Sequence, residues 1–372
     1  MNFESNEQFS GAIALYHGQD KSMEVRQATW PRPQGEEALV KITHCAICRS
    51  DVHTMCGRRT VHTPTVLGHE MIGNIVATGD NFPKTDICGE TIAIGDRITW
   101  AIYAHCGKCF YCKTGIPQKC ENLFKYGHES VSMDGSNSSG GMASYIILRP
   151  GTPILKLPEE IHNFIATPIN CAVSTAAAML RESQVKINAS STLLVMGGGY
   201  AGLSAVALAK RQGCGHVLVV EPNRERHQRC LDFGADSVCA PGDESAESFI
   251  QISTSGRGVD LALELAGSSE AAQLALGQLR IGGTLVLAGT VFPSPPLKID
   301  PDQIVRRCLT IKGVHNYRPE DLIVATRCIL DTKDSVPWNQ LIGAEFQLER
   351  VDSAVAFAKD NPGLRSIIHP PH

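Results

Sequence analysis

Hydrophobic positions change their period partway along the chain. Up to about residue 165 the apolar runs are short and β-branched, as in EALVKITHCAI (37–47), NIVATG (74–79) and GDRITWAIYA (95–104). They alternate with polar residues and are separated by Gly, Pro and His, which predicts an antiparallel, strand-rich region. From Ser191 the pattern becomes strand, glycine turn, helix, strand. TLLVM (192–196) precedes GGGYAG (197–202), and YAGLSAVALAKRQG then places Leu203, Val206, Ala207 and Ala209 at helical spacing. VLVV (217–220), VDLALELAG (259–267) and GTLVLAG (283–289) predict further strands, with helical patterns around 223–233 and 270–280 between them. Such alternation predicts a parallel sheet covered by helices on both faces. LTIKGV (309–314) is the candidate last strand of that sheet. The tail mixes helical patterns (RPEDLIVATRCILD, VDSAVAFAKD) with a closing strand, RSIIH. The low-complexity stretch SNSSGGM (136–142) predicts a loop.

Composition narrows the class. A chain of 372 residues is long enough for two domains. Its 34 Lys+Arg against 38 Asp+Glu give a formal charge of −4, which argues against a general nucleic-acid binder. No apolar run reaches the roughly 20 residues that cross a bilayer. The opening segment, MNFESNEQFS, lacks a basic region followed by an apolar one, so no secretory leader is expected. The expectation is a cytoplasmic protein with neither membrane nor nucleic-acid partners.

The unusual count is cysteine, at 14, beside 13 histidines. In a long chain without a leader this points to metal, catalysis or buried small apolar residues rather than to a disulfide scaffold. Cys106, Cys109, Cys112 and Cys120 form C-x2-C-x2-C-x7-C, a spacing suited to one tetrahedral zinc ion or to an iron–sulfur cluster. The bland alternative is four buried thiols, but a loop offers little core to bury them. Three separated segments carry further ligand types: HCAICRSDVH (44–53) with Cys48, Ser50 and His53, LGHEMIGNIVATG (67–79) with His69 and Glu70, and INCAVSTAA (169–177) with Cys171. Two thiolates and an imidazole from Cys48, His69 and Cys171 make a catalytic zinc set with an open position. Each residue alone has a packing reading, and Cys45 with Cys48 forms a CxxC that could be a redox pair.

Gly197, Gly199 and Gly202 satisfy GxGxxG in the required context, after a strand and opening a helix. Glu221 ends the next strand. A carboxylate there accepts from ribose hydroxyls and repels a 2′-phosphate, which favours NAD. Arg224 and Arg226 nearby leave NADP open, because an arginine can hold that phosphate.

Taken together, these residues resemble the zinc-dependent medium-chain dehydrogenase/reductase family of the alcohol dehydrogenase type. The resemblance covers nearly the whole chain. It rests on Gly68-His69-Glu70…Gly73…Gly79, the CRSD-x-H segment, the four-cysteine lobe, the Cys171 segment and the glycine fingerprint, in that order. It implies an α/β chain with a GroES-like, mostly antiparallel β catalytic domain (1–170, with a structural zinc lobe about 103–125). A Rossmann doubly wound parallel-sheet domain would occupy 171–314, and 315–372 would return to the catalytic domain. It implies two zinc ions, a catalytic one on Cys48, His69 and Cys171 with Glu70 close by, and a structural one on Cys106, Cys109, Cys112 and Cys120. Arg49 and Arg365 are implied to contact the cofactor pyrophosphate, and Thr175 to pack near the nicotinamide.

The implied reaction is hydride transfer between an alcohol or aldehyde and NAD, with zinc lowering the pKa of the alcohol. Ser50 and His53 resemble the family's proton relay. Arg58 and Arg59, in CGRRTV, fall at a pocket mouth that is often aliphatic. They read either as a solvated loop or as a clamp for phosphate, phosphonate or carboxylate. GRRTVHTPTVLGHE with QKCENLFKYGHE also resembles a bacterial subgroup named for phosphonate catabolism. Ile102, with Trp100 and Tyr103, is a candidate pocket wall. The short segment after Cys120 resembles the tetrameric branch, with a homodimer as the alternative. Two other functions stay open: an NADPH-dependent reductase of an activated double bond, and a non-enzymatic zinc- and dinucleotide-binding protein.

Overall fold

Alternation in Ala38–Ala46 buries one strand at the centre of a seven-stranded sheet. The computed structural model describes residues 9–131, 137–241 and 246–371, so residues 1–8 of the opening segment and Ser136 of the predicted loop lie outside the described residues. The chain divides into two units. The first comprises residues 1–171, 318–326 and 339–372, and the second comprises 172–317 and 327–338.

In the first unit the strand order is Ile154–Lys156, Arg97–Trp100, Glu70–Thr78, Ala38–Ala46, Arg365–His369, Ile342–Gln347, with Tyr145–Leu148 also on Ala38–Ala46. Pairing is antiparallel except between the last two of that order. A three-stranded sheet of Glu24–Trp30, Phe9–Tyr16 and Thr65–Val66 accompanies it. Ile13, Leu15, Trp30, Leu39, Ile42, Trp100 and Tyr126 fill the core. Each large apolar side chain buried there contributes about 1.5–3 kcal/mol. This is the GroES-like half of an α/β fold.

The second unit is a six-stranded parallel sheet ordered Ser237–Cys239, His216–Val220, Thr192–Met196, Val259–Glu264, Leu279–Leu287, Thr310–Gly313. All five residues of Thr192–Met196 are buried, as a central strand covered on both faces requires. The order is the Rossmann winding. Its reversal beside Thr192–Met196 puts the glycine turn at the carboxyl end of that strand, where dinucleotides bind in such sheets. Strand Ser237–Cys239 and helices Ala246–Ser253 and Pro301–Arg306 were not legible in the pattern. They are too short to develop a period.

The unit bounds differ from the expected ones: Cys171 falls in the first unit and residues 315–317 in the second. Residues 327–338 belong to the second unit rather than to the closing segment. Trp338 is 1% exposed and packs edge-on to Phe233 at 5.2 Å, and Arg211 pairs with Asp331. Among the described residues no single helix is long and apolar enough to cross a membrane.

Candidate active site

The site in the first unit begins with a helix start. Strand Ala38–Ala46 ends, the Ile47 N–H donates to the Ser366 carbonyl at 2.9 Å, and Cys48 caps helix Arg49–Met55. Asp51, at the third helical position, accepts the Cys48 N–H at 2.9 Å through Oδ2. A carboxylate there is favourable to both the orphan N–H and the helix dipole. Its other oxygen lies 3.1 Å from His69 Nδ1. Asp51 is 2% exposed and therefore ties two segments together inside the protein.

That contact assigns Nδ1 of His69 as the donor and leaves Nε2 with its lone pair. Nε2 points to the Sγ atoms of Cys48 and Cys171, the three ligand atoms all lying within 4.8 Å of one another. Ser50 Oγ is 3.2 Å from the same Nε2. The Cys171 segment is held by Asn170, whose Nδ2 donates to the His69 and Trp100 carbonyls at 3.1 Å each. Glu70, next to His69, is fully buried and takes both sides of the Arg365 guanidinium, at 2.6 and 2.8 Å. Full burial is the largest influence on the Glu70 carboxyl and pushes it up, and the Arg365 charge works against it. Arg365 Nη2 also reaches Cys48 Sγ at 3.8 Å. At 5% exposure Arg365 is held by Glu70 and Cys48.

His53 lies one turn beyond Ser50, so the two share a helix face. Burial first, then the charges of Arg49 and Arg58, lower its imidazole to about 4. Arg49 is exposed, Arg58 is exposed, and Arg59 is half-buried. Ile102 is 4% exposed, and its carbonyl accepts the Tyr126 N–H.

The four cysteines of the lobe form the other cluster. Cys109 Sγ lies 3.4 Å from Cys112 Sγ and 3.8 Å from Cys120 Sγ, and the Cys106 and Asn122 N–H groups donate to Cys120 Sγ. Four sulfurs at about 2.3 Å from one zinc ion stand about 3.8 Å apart in a tetrahedron. All four lie within 4.8 Å of one another, which is the room a single ion needs and is tight for a multi-iron cluster.

In the second unit, Gly202 lies in the first turn of the helix Tyr200–Arg211, and a Cβ there would sit 1.9 Å from the Gly197 carbonyl oxygen, so only glycine closes the turn. Gly199 caps that helix with open space around it. Glu221 is 3% exposed and accepts the Gly198 N–H at 2.7 Å and the Asn223 N–H at 2.8 Å. Arg226 Nη1 stands 3.7 Å from its Oε1. Thr175 is half-buried on helix Ala172–Glu182.

Asp51 and Asn170 carry no role in the sequence reading, although both sit inside the motifs it quotes. Their signal was adjacency to a ligand, and only the fold shows what their side chains reach.

A GroES-like unit that gathers two thiols and an imidazole, and a second unit with a Rossmann sheet and a glycine turn, together define a zinc-binding dehydrogenase. Comparison with known proteins agrees. Residues 34–159 match the alcohol dehydrogenase GroES-like domain, and residues 201–331 match the zinc-binding dehydrogenase domain. The chain belongs to the zinc-dependent medium-chain dehydrogenase/reductase family of the alcohol dehydrogenase type. It is 30% identical to L-threonine 3-dehydrogenase of Pyrococcus furiosus, over 76% of this chain and 77% of that protein. It is 27% identical to D-arabitol-phosphate dehydrogenase of Enterococcus avium, over 86% and 85%. The crystal structure of an alcohol dehydrogenase from Thermotoga maritima superposes with a TM-score of 0.90 at 26% identity, over 98% of this chain and all of that one.

Proposed function

We propose that this dehydrogenase oxidises an alcohol, or reduces the matching carbonyl, with NAD as hydride carrier and zinc on Cys48, His69 and Cys171. The observation that carries the reading is the donor set. Two thiols and one imidazole lie within 4.8 Å of one another, with the imidazole tautomer set by Asp51. Such a set fits zinc and leaves a fourth position for substrate. Zinc bound there supplies Lewis acidity to the substrate oxygen, and NAD supplies the hydride acceptor.

The chain's own residues do the rest. Asp51 holds His69 in the metal-binding tautomer. Ser50 Oγ, beside His69 Nε2, accepts the proton of the substrate hydroxyl as it passes its own proton on toward His53. His53, neutral above about pH 4, is the next acceptor on that helix face. Arg365 and Glu70 position Cys48 from behind. Cys106, Cys109, Cys112 and Cys120 hold a second zinc that folds the lobe. The glycine turn at Gly197, Gly199 and Gly202 takes the pyrophosphate, with Arg49 and Thr175 as further cofactor residues. NAD over NADP is supported by Glu221, whose buried carboxylate keeps lone pairs for ribose hydroxyls and repels a 2′-phosphate. Arg226, near that carboxylate, is the residue through which NADP would enter. An anionic alcohol is supported by half-buried Arg59 and by likeness to a dehydrogenase of a phosphorylated polyol. The short segment after Cys120 supports a homotetramer, with a homodimer as the alternative; light scattering decides between them.

The test is a cofactor-reduction screen of alcohols with both nicotinamides, alongside zinc counted per chain. Two zinc ions with NAD reduction support the proposal. One zinc with carbonyl or double-bond reduction by NADPH that survives chelation overturns it.

A further inference from the structure

Two loops at the carboxyl end of the parallel sheet are joined through one buried acid. Strand Val259–Glu264 ends in Glu264, which is fully buried. Its Oε1 accepts the Gly267 N–H at 2.6 Å and the Ser268 N–H at 3.4 Å, inside the loop that follows the strand. Its main-chain carbonyl accepts the Ala288 and Gly289 N–H groups at 3.1 and 2.9 Å, from the loop after strand Leu279–Leu287. The two loops approach so closely that a Cβ on Gly289 would stand 2.5 Å from the Gly267 nitrogen and 2.8 Å from Glu264 Oε2. On the other side the Leu265 N–H donates to the Met196 carbonyl at 3.0 Å, and a Cβ on Gly197 would stand 3.2 Å from the Ala266 nitrogen. The glycine turn, 265–268 and 288–289 thus lie side by side, with the Glu264 carboxylate under them.

An acid is a costly residue in that place. Glu264 Oε2 is buried and has no hydrogen-bond partner among the described residues. Burial pushes the carboxyl up, and the backbone N–H groups of Gly267, Ser268, Ala266 and Gly289 draw it back down. A leucine would fill the space without that desolvation cost, so stability alone does not account for the acid. What leucine cannot do is take the Gly267 and Ser268 N–H groups, which fold the loop back over the strand end. Ser268 then caps helix Ser269–Gly277, its Oγ accepting the Ala271 N–H at 3.1 Å. Ala266 is exposed, and Leu265, Gly267 and Gly289 are half-buried. The backbone that Glu264 orders is therefore open to a ligand, although the carboxylate itself is not.

The strand order says which half of a dinucleotide belongs there. The pyrophosphate belongs at the Gly197 turn and the adenosine ribose at Glu221, just after strand His216–Val220. The second nucleotide then runs the other way, over the ends of Val259–Glu264 and Leu279–Leu287. We infer that Glu264 is a positioning residue for the nicotinamide half of the cofactor, locking loops 265–268 and 288–289 into the floor on which that half rests. It touches no reacting atom and acts through the backbone it holds. The inference rests on the dehydrogenase reading above and assigns a residue that the sequence reading left without a role.

The experiment measures binding by calorimetry to wild type, Glu264→Met, Glu264→Gln and Gly289→Ala. The probe is NADH or NADPH, whichever wild type binds more tightly. ADP, which lacks the nicotinamide half, is the control, and its affinity certifies that the sheet and the glycine turn are folded. Glu264→Met removes both acceptor oxygens at similar length, and is expected to raise the Kd of the reduced nucleotide about 10-fold or more while moving that of ADP by less than about threefold. Gly289→Ala, which wedges the loops apart without changing charge, is expected to give the same split. Glu264→Gln, whose amide oxygen still accepts from Gly267, is expected to restore most of the affinity. An unchanged nicotinamide affinity in Glu264→Met, or equal losses for the reduced nucleotide and ADP, overturns the positioning role while the dehydrogenase reading stands. Should Glu264→Met fail to fold, Gly289→Ala decides on the same two criteria. If wild type binds neither NADH nor NADPH, the dehydrogenase reading itself fails and the inference falls with it.

Discussion

Replacing Asp51 by Asn changes one charge and almost no volume at the residue that joins Cys48 to His69. The amide oxygen can still accept the Cys48 N–H, now at 2.9 Å from Oδ2, so the helix start survives. The amide nitrogen must then face His69 Nδ1, where the carboxylate oxygen stood at 3.1 Å. Two donors cannot share that contact, so the imidazole moves its proton to Nε2, the atom that metal needs. Loss of such an outer carboxylate weakens metal affinity by about 10–100-fold, or roughly 1.4–2.7 kcal/mol. The assay is zinc competition against a fluorescent chelator. The cysteine lobe, which Asp51 does not touch, serves as an internal standard. Expected is one weakened class of zinc per chain and one unchanged class. If both classes bind within about threefold of wild type, Asp51 does not set the tautomer and the reasoning from geometry to metal fails.

Three further outcomes follow from the same structure. Cys112→Ser should release the lobe zinc alone, seen as loss of one metal per chain and new proteolysis between 103 and 125; retained metal would argue against a four-sulfur site. Arg365→Met leaves the fully buried Glu70 carboxylate without its partner and should cost roughly 3–5 kcal/mol in urea unfolding, whereas a change under about 1 kcal/mol would mean that the pair is compensated by solvent. Arg58→Ala removes one of the cations that, after burial and Arg49, hold His53 near 4. Its imidazole should titrate roughly half a unit to a unit higher by NMR, and an unmoved titration would leave burial and Arg49 as the whole cause.

How much could be read beforehand depended on the range of the information. The clustering of ligand-type side chains was legible because metal chemistry compresses into short spacings, as in Cys106 to Cys120. The Rossmann strands were legible because a doubly covered sheet needs continuous apolar runs such as TLLVM. Arg365 was visible only as a late arginine. Its grip on Glu70 depends on the register that sets Ile367 opposite Ala46, and Ala46 opposite Glu70. The turn after the cysteine lobe was invisible for a related reason. The strand before it, Phe124–Lys125, is two residues long, and the turn that follows it meets the His69 segment only through the close approach at Gly127. Residues 327–338 read as part of the closing segment because sequence order says nothing about where Trp338 buries its ring.

The position of strand Arg365–His369 between Ala38–Ala46 and Ile342–Gln347 has a consequence for biosynthesis. On the ribosome, Cys48, His69 and Cys171 emerge early, yet Glu70 meets its cation only when the last strand of the described chain is made. Arg365 follows Cys171 by roughly two hundred residues, an interval of about ten to forty seconds at ordinary translation rates. During that interval the nascent chain carries exposed thiols, an unpaired acidic side chain and an unpaired stretch of strand at Cys45 and Ala46. Metal delivered then meets a half-built site, so zinc capture and chain completion are coupled in time. A pause in translation before residue 365 should leave the polypeptide exposed to oxidation and to pairing with another copy.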